Sequence, residues 1–150
     1  MLFQIIFVCI LLSYTSAQAP LTKQYKFETY FKANWFDAYL FCRDHGMQLA
    51  TINTPEEHEA IARNLPKTNT YPVEYDDYWL SGTDLAKEGY YKWFSTGKAM
   101  SYVAWELTPN QDPYSATVDD VEDCVFFHGV GQRWLSTNCT TLNYFICETV

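Results

Sequence analysis

The sequence predicts an α+β fold stapled by disulfides, and three observations carry that expectation. Two helical segments stand in the first half of the chain, one around Trp35–His45 and one starting at Thr54-Pro55-Glu56-Glu57. From Tyr78 onward no helical period returns, and short aromatic and β-branched runs alternate with Gly, Pro, Asn and Asp. Helices first and strands afterwards is an α+β order. Cys42, Cys124, Cys139 and Cys147 thread both parts. At 150 residues the chain is one domain, large enough to bury its own core.

The N-terminus reads as a leader rather than as structure. Leu2 to Leu12 is apolar and uncharged, and small residues follow at Thr15-Ser16-Ala17. That is the build of a secretory signal peptide, with cleavage expected after Ala17; a short membrane anchor is the other reading of such a stretch. The expected organisation is a signal peptide over 1–17, a short segment over 18–23 and the domain over 24–150, with no membrane span in the mature chain. The stretch from Gln24 to Phe31 alternates aromatic and polar residues, the period of a half-buried strand. Asn34 caps the first helix, whose apolar residues, Cys42 among them, face a core, and Gly46 ends it. Met47 to Ile52 reads as a short strand. In the second helix Thr54 is the cap, Pro55 the first helical residue and Glu57 the partner in a capping box, and the helix runs to about Asn64 before Pro66. The strand expectations are Tyr78–Ser81, Tyr90–Phe94, Cys124–His128, Arg133–Ser136 and Tyr144–Glu148. Thr108 to Val121 is a long polar loop with two prolines, and loops of that length carry function or disorder.

Removing the leader removes Cys9 and leaves four of the five cysteines, an even number in a small secreted domain. Four cysteines allow three pairings, and the spacing alone does not choose among them. Zinc is disfavoured, because no Cys-x-x-Cys pair occurs and the three histidines are scattered. The net charge of −8, with no basic cluster, argues against a nucleic-acid partner and against anionic membranes. It is compatible with carboxylates gathered around a hard cation, and equally with simple solubility.

The pattern Trp79-Leu80-Ser81-Gly82-Thr83-Asp84, then Trp105, Thr108-Pro109-Asn110, Glu122-Asp123-Cys124, Trp134, Cys139 and Tyr144-Phe145-Ile146-Cys147, resembles the C-type lectin-like domain family. The Ser-Gly-Thr-Asp-Leu run is similar to that of secreted insect lectins. The resemblance implies a C-type lectin-like fold of two helices, short antiparallel sheets and a long loop region. It implies the nested disulfides Cys42–Cys147 and Cys124–Cys139. It also implies a secreted, calcium-linked carbohydrate-binding protein that recognises glycans or glycoproteins on cell or microbial surfaces, as family members do in innate immunity.

In sugar-binding members, one calcium is held by a Glu-Pro-Asn or Gln-Pro-Asp tripeptide, a Glu just before Asp-Cys, and an Asn-Asp pair after a Trp. Calcium takes six to eight oxygens, and that set leaves positions open for two sugar hydroxyls. Here Thr108 replaces the leading residue while Asn110 and Glu122 are kept, and Leu135 and Ser136 replace the Asn-Asp pair. Two strong ligands are thereby lost, with Glu106, Asp112, Asp119 and Asp120 nearby as substitutes. An auxiliary calcium site in the family matches Asp84, Glu88 and Asp123, with Asp112 placed to complete the shell. The bland reading is that Asp84 is a turn residue and Glu88 a solvated charge. The altered sugar-site set leaves a rival: a lectin-like fold that binds a protein partner without calcium-dependent sugar chemistry.

Trp79, Trp105 and Trp134 are expected in the core, with Tyr114 the better exposed stacking ring. Asn138-Cys139-Thr140 fits the N-glycosylation acceptor pattern. No enzyme is expected. His58-Glu59 begins like a zinc-protease helix, but Ala62 stands where the second histidine is needed, and neither Gly-x-Ser-x-Gly nor a phosphate-binding glycine loop occurs.

Overall fold

The computed structural model describes residues 23–68, 74–106 and 123–150. In chain order the elements are β1 (Tyr25–Ala33), α1 (Trp35–Asp44), β2 (Gln48–Leu49), α2 (Pro55–Asn64), β3 (Tyr78–Thr83), β4 (Lys92–Trp93), β5 (Lys98–Ala99), β6 (Cys124–His128), β7 (Arg133–Thr137) and β8 (Asn143–Glu148). The two helices precede the main run of strands, as the residue pattern implies.

Local chemistry sets both helices. Asn34 Oδ1 accepts from the Asp37 N–H at 2.9 Å and so satisfies one of the free donors of the first turn of α1. The chain leaves α1 through Gly46 at φ 68°, a left-handed conformation that costs glycine little. In α2 the Thr54 hydroxyl accepts from the Glu57 N–H at 3.2 Å. Glu57 reaches back one residue further than the expected box, taking the Asn53 N–H at 2.6 Å rather than that of Thr54. Lys23 then ties this carboxylate to the N-terminal end of the domain, at 3.0 Å.

The sheet grows around β3 and β8. β8 pairs antiparallel with β1 and β2, and β6 pairs antiparallel with β3 and β7. β3 and β8 run parallel, Tyr78 opposite Tyr144 and Trp79 opposite Phe145, an exception to the antiparallel expectation. Gly82 permits the close approach of β6, since a Cβ there would lie 2.8 Å from Val125 Cγ2. The strand expected at Met47–Ile52 is only Gln48–Leu49, that at Tyr90–Phe94 only Lys92–Trp93, and β5 has no counterpart in the residue pattern.

Two disulfides, Cys42–Cys147 and Cys124–Cys139, join α1 to β8 and β6 to the β7–β8 turn. On the chain-entropy argument the first closes a loop worth about 4–5 kcal/mol and the second about 3 kcal/mol. Both lie in one apolar cluster with Trp35, Trp79 and Phe145. A second cluster holds Ile52, Ile61, Leu80, Trp93, Phe127, Trp134 and Ile146. Trp35 Nε1 donates to the Leu80 carbonyl at 2.8 Å and Trp79 Nε1 to the Ala33 carbonyl at 2.9 Å, so these indoles are buried without losing their hydrogen bonds. No helix among the described residues is long and apolar enough to cross a membrane.

Candidate functional site

The strand registers bring three acidic residues together where β3 ends and β6 begins. β3 pairs Thr83 with Cys124, so the next residues on each strand, Asp84 and Asp123, lie side by side. The Asp84 N–H donates to the Asp123 carbonyl at 3.2 Å. The turn after β3 returns Glu88 to the same place. One potential ligand atom each from Asp84, Glu88 and Asp123 lies within 4.8 Å of the others.

Asp84 is the interior member, only 2% exposed. Its Oδ2 accepts from the Gly89 N–H at 2.8 Å, and Gly89 adopts φ 75° to present that donor. Its Oδ1 is buried with no hydrogen-bond donor among the described residues. Burial pushes the Asp84 carboxyl above its ordinary range; the Gly89 N–H pulls it back and the Asp123 charge pushes it up again. An ionised carboxylate in that setting is short of a counter-charge, and a hard divalent cation supplies one. The donor set fits calcium: all oxygen, clustered, with one buried oxygen unsatisfied.

The expected sugar-site residues divide. Thr108, Asn110, Asp112 and Glu122 lie outside the described residues, as do Tyr114, Asp119, Asp120 and the leader over 1–17. Leu135 and Ser136 are placed on β7, opposite Phe126 and Val125. Leu135 packs against the first apolar cluster, and Ser136 is half-buried. Glu106, a possible substitute ligand, accepts from His128 Nδ1 at 2.6 Å. Trp79 and Trp134 are fully buried, whereas Trp105 is half-buried and packs edge-on to Trp134 at 5.9 Å. Asn138 Oδ1 accepts from the N–H and the hydroxyl of Thr140, at 2.8 and 2.7 Å.

Two polar arrangements had no sequence signal. Glu148 is fully buried, taking the Gln48 side chain at 2.6 Å and the Thr51 N–H at 3.0 Å, with Lys23 Nζ at 3.4 Å. His58 is held in the second cluster with Nε2 donating to the Gln132 carbonyl at 2.9 Å, which fixes its tautomer because a carbonyl only accepts. Gln132 takes φ 51° to offer that oxygen. A histidine at position 58 reads alike on paper whether buried or ligating; only the distant turn at 132 decides it.

Residues 31–149 match the lectin C-type domain family, and the chain belongs to it. It is 32% identical over 123 residues to C-type lectin mosGCTL-7 of Culex quinquefasciatus, covering 79% of this chain and 69% of the relative. It is 28% identical over 121 residues to salivary C-type lectin 1 of Aedes albopictus, covering 77% of this chain and 76% of that one. Among solved structures, the carbohydrate-recognition domain of the human scavenger receptor C-type lectin superposes with a TM-score of 0.67 at 31% identity, covering 85% of this chain and 90% of the other.

Proposed function

We propose that the chain is a secreted, non-enzymatic lectin that binds glycans on cell or microbial surfaces, with calcium at Asp84, Glu88 and Asp123 bracing the binding face rather than carrying the sugar. The observation that supports glycan binding is family membership together with 31% identity to a carbohydrate-recognition domain. The salivary relative supports secretion. The placing of calcium rests on the buried, donorless Asp84 Oδ1 inside the acidic cluster. When bound, calcium supplies fixed positive charge. The chain's part is to gather three carboxylates from a strand end, a turn and a neighbouring strand, and to hold one of them out of water.

The long loop over 108–121, with Asn110 and Glu122, is proposed as the contact face, in an innate-recognition setting like that of family members. Sugar capture there is proposed to be weak and to depend little on a calcium at the usual sugar position. Leu135 offers no oxygen and is committed to the core, and Ser136 offers only a neutral hydroxyl in place of a carboxylate. Those two departures also favour a second reading, a protein partner recognised by the same face without calcium-dependent sugar chemistry. A glycan array probed with and without calcium separates them. Modest retention on a subset of glycans supports the lectin, whereas no glycan retained in either condition sinks it in favour of the protein partner.

A further inference from the structure

Helix α1 keeps apolar side chains on the side that faces away from the core. Trp35, Ala38 and Cys42 form its buried stripe. Phe36 and Leu40, one turn apart on the other side, are exposed, Leu40 to 61%. The outer side of a surface helix is ordinarily charged or polar. Leu40 does not stand alone. With Phe31, Phe41 and Leu142 it lines a groove between α1, the end of β1 and the β7–β8 turn, and Phe31 and Leu142 are exposed as well. The Phe31 ring lies edge-on to that of Phe41, centroids 5.3 Å apart, which gives the groove an aromatic floor. Beyond α1 the band continues to the exposed Phe94, whose ring meets Tyr39 at 5.1 Å. An apolar band of this kind, rimmed by charge, marks an interaction surface.

The charges on this face select the partner. The protein carries a net charge of −8, so two copies repel over most of their surface. The groove, by contrast, is lined by two positive and two negative groups, Lys32 and Arg43 with Asp37 and Asp44. At about 100° per residue, Asp37, Arg43 and Asp44 all fall within about 60° of Leu40 around the helix. Arg43 and Asp44 make no ion pair among the described residues. A two-fold axis repeats every contact reciprocally. A face that interleaves both signs around a leucine is therefore complementary to itself, whereas the rest of so acidic a surface is not. We propose that the α1 face is a self-association surface through which two copies pair, with Leu40 at the centre and Arg43 of each copy against Asp37 or Asp44 of the other. Pairing bears on the lectin reading, since two weak glycan sites on one particle hold a multivalent surface far better than either does alone.

Sedimentation equilibrium of the secreted protein over a wide concentration range tests this. Wild type should show a monomer–dimer equilibrium. Leu40→Ser removes an exposed side chain from the centre of the face and should weaken pairing about tenfold or more. Val130→Ser, at another exposed apolar residue on the β6–β7 turn, should leave pairing unchanged. Arg43→Glu makes the charges around Leu40 wholly acidic, and Asp37→Arg with Asp44→Arg makes them wholly basic. Each of these two variants should be monomeric alone, and an equal mixture of them should pair again, a result that loss of folding cannot imitate. A wild type that stays monomeric overturns the proposal and leaves the face to a different protein. A dimer untouched by Leu40→Ser and by both charge variants overturns it by placing the contact elsewhere. Charge variants that stay apart when mixed overturn the reciprocal pairing.

Discussion

Asp84 and His58 show how the same burial has opposite consequences for an acid and a base. Burial works against the charged form of Asp84, so a cation there should add stability. With calcium at about 100 times its dissociation constant the gain is about 3 kcal/mol, which for a domain of this size is about 5–10 °C in Tm. Chelation with EDTA should lower Tm by that amount in wild type and leave Asp84→Ala unmoved, while Asn110→Ala should keep most of the shift. Differential scanning calorimetry with and without chelator checks this, and an unchanged wild-type curve removes calcium from the account. Burial also lowers the pKa of His58 below its ordinary 6.5; the Gln132 carbonyl raises it, Arg133 lowers it and Glu59 raises it. The unfolded chain takes up a proton near pH 6.5 that the folded chain refuses until lower pH. Stability is therefore full above that value and falls as pH drops through the window beneath it. His58→Gln keeps a donor for the Gln132 carbonyl and removes the titration. Its denaturant midpoint should fall less than that of wild type between pH 7 and pH 5. Parallel losses in the two proteins would show that His58 does not set the slope.

At the scale of the elements, legibility follows the range of the interactions. The start of α2 is written in four adjacent residues, Thr54 to Glu57, and its end in Pro66, and the structure places the helix at Pro55–Asn64 as those residues direct. Thr54→Ala should cost about 1 kcal/mol by leaving the Glu57 N–H without its acceptor, measurable as a shift in urea midpoint at constant slope. β6 is equally plain, because a run of Cys, Val and Phe buried nearly throughout has no other use. β5 is two exposed residues, Lys98 and Ala99, and carries no pattern. The parallel pairing of β3 with β8 was also hidden, since it joins positions more than sixty residues apart whose side chains look alike in either orientation. At the site, Asp84 and Glu88 were visible as a motif with Asp123. The burial of Asp84 Oδ1 without a donor was not, because it depends on how distant strands pack around it.

At the scale of the whole molecule, a stapled body carries the proposed loop face. The long disulfide joins α1 to β8, and Lys23 gathers Glu57 and Glu148 beside them, so the two ends of the domain are locked together. The acidic cluster sits where β3 and β6 leave the sheet, and Asp123 directly follows in sequence the segment proposed to meet the glycan. If the usual sugar position is idle for want of ligands, restoring them should awaken it. Thr108→Glu with Leu135→Asn and Ser136→Asp should create calcium-dependent mannose-type binding, read as retention on a mannose column that EDTA releases. Charge count tunes calcium affinity by orders of magnitude, so an engineered protein that stays calcium-indifferent would show that something other than ligand identity closed the site. The most direct test of the central claim, that calcium braces the face and does not carry the sugar, is calorimetric titration of metal-free wild-type protein with calcium, alongside Asp84→Asn. The account predicts one calcium per chain in wild type and none in the variant. Two calcium ions per chain, or one retained by Asp84→Asn, would contradict it.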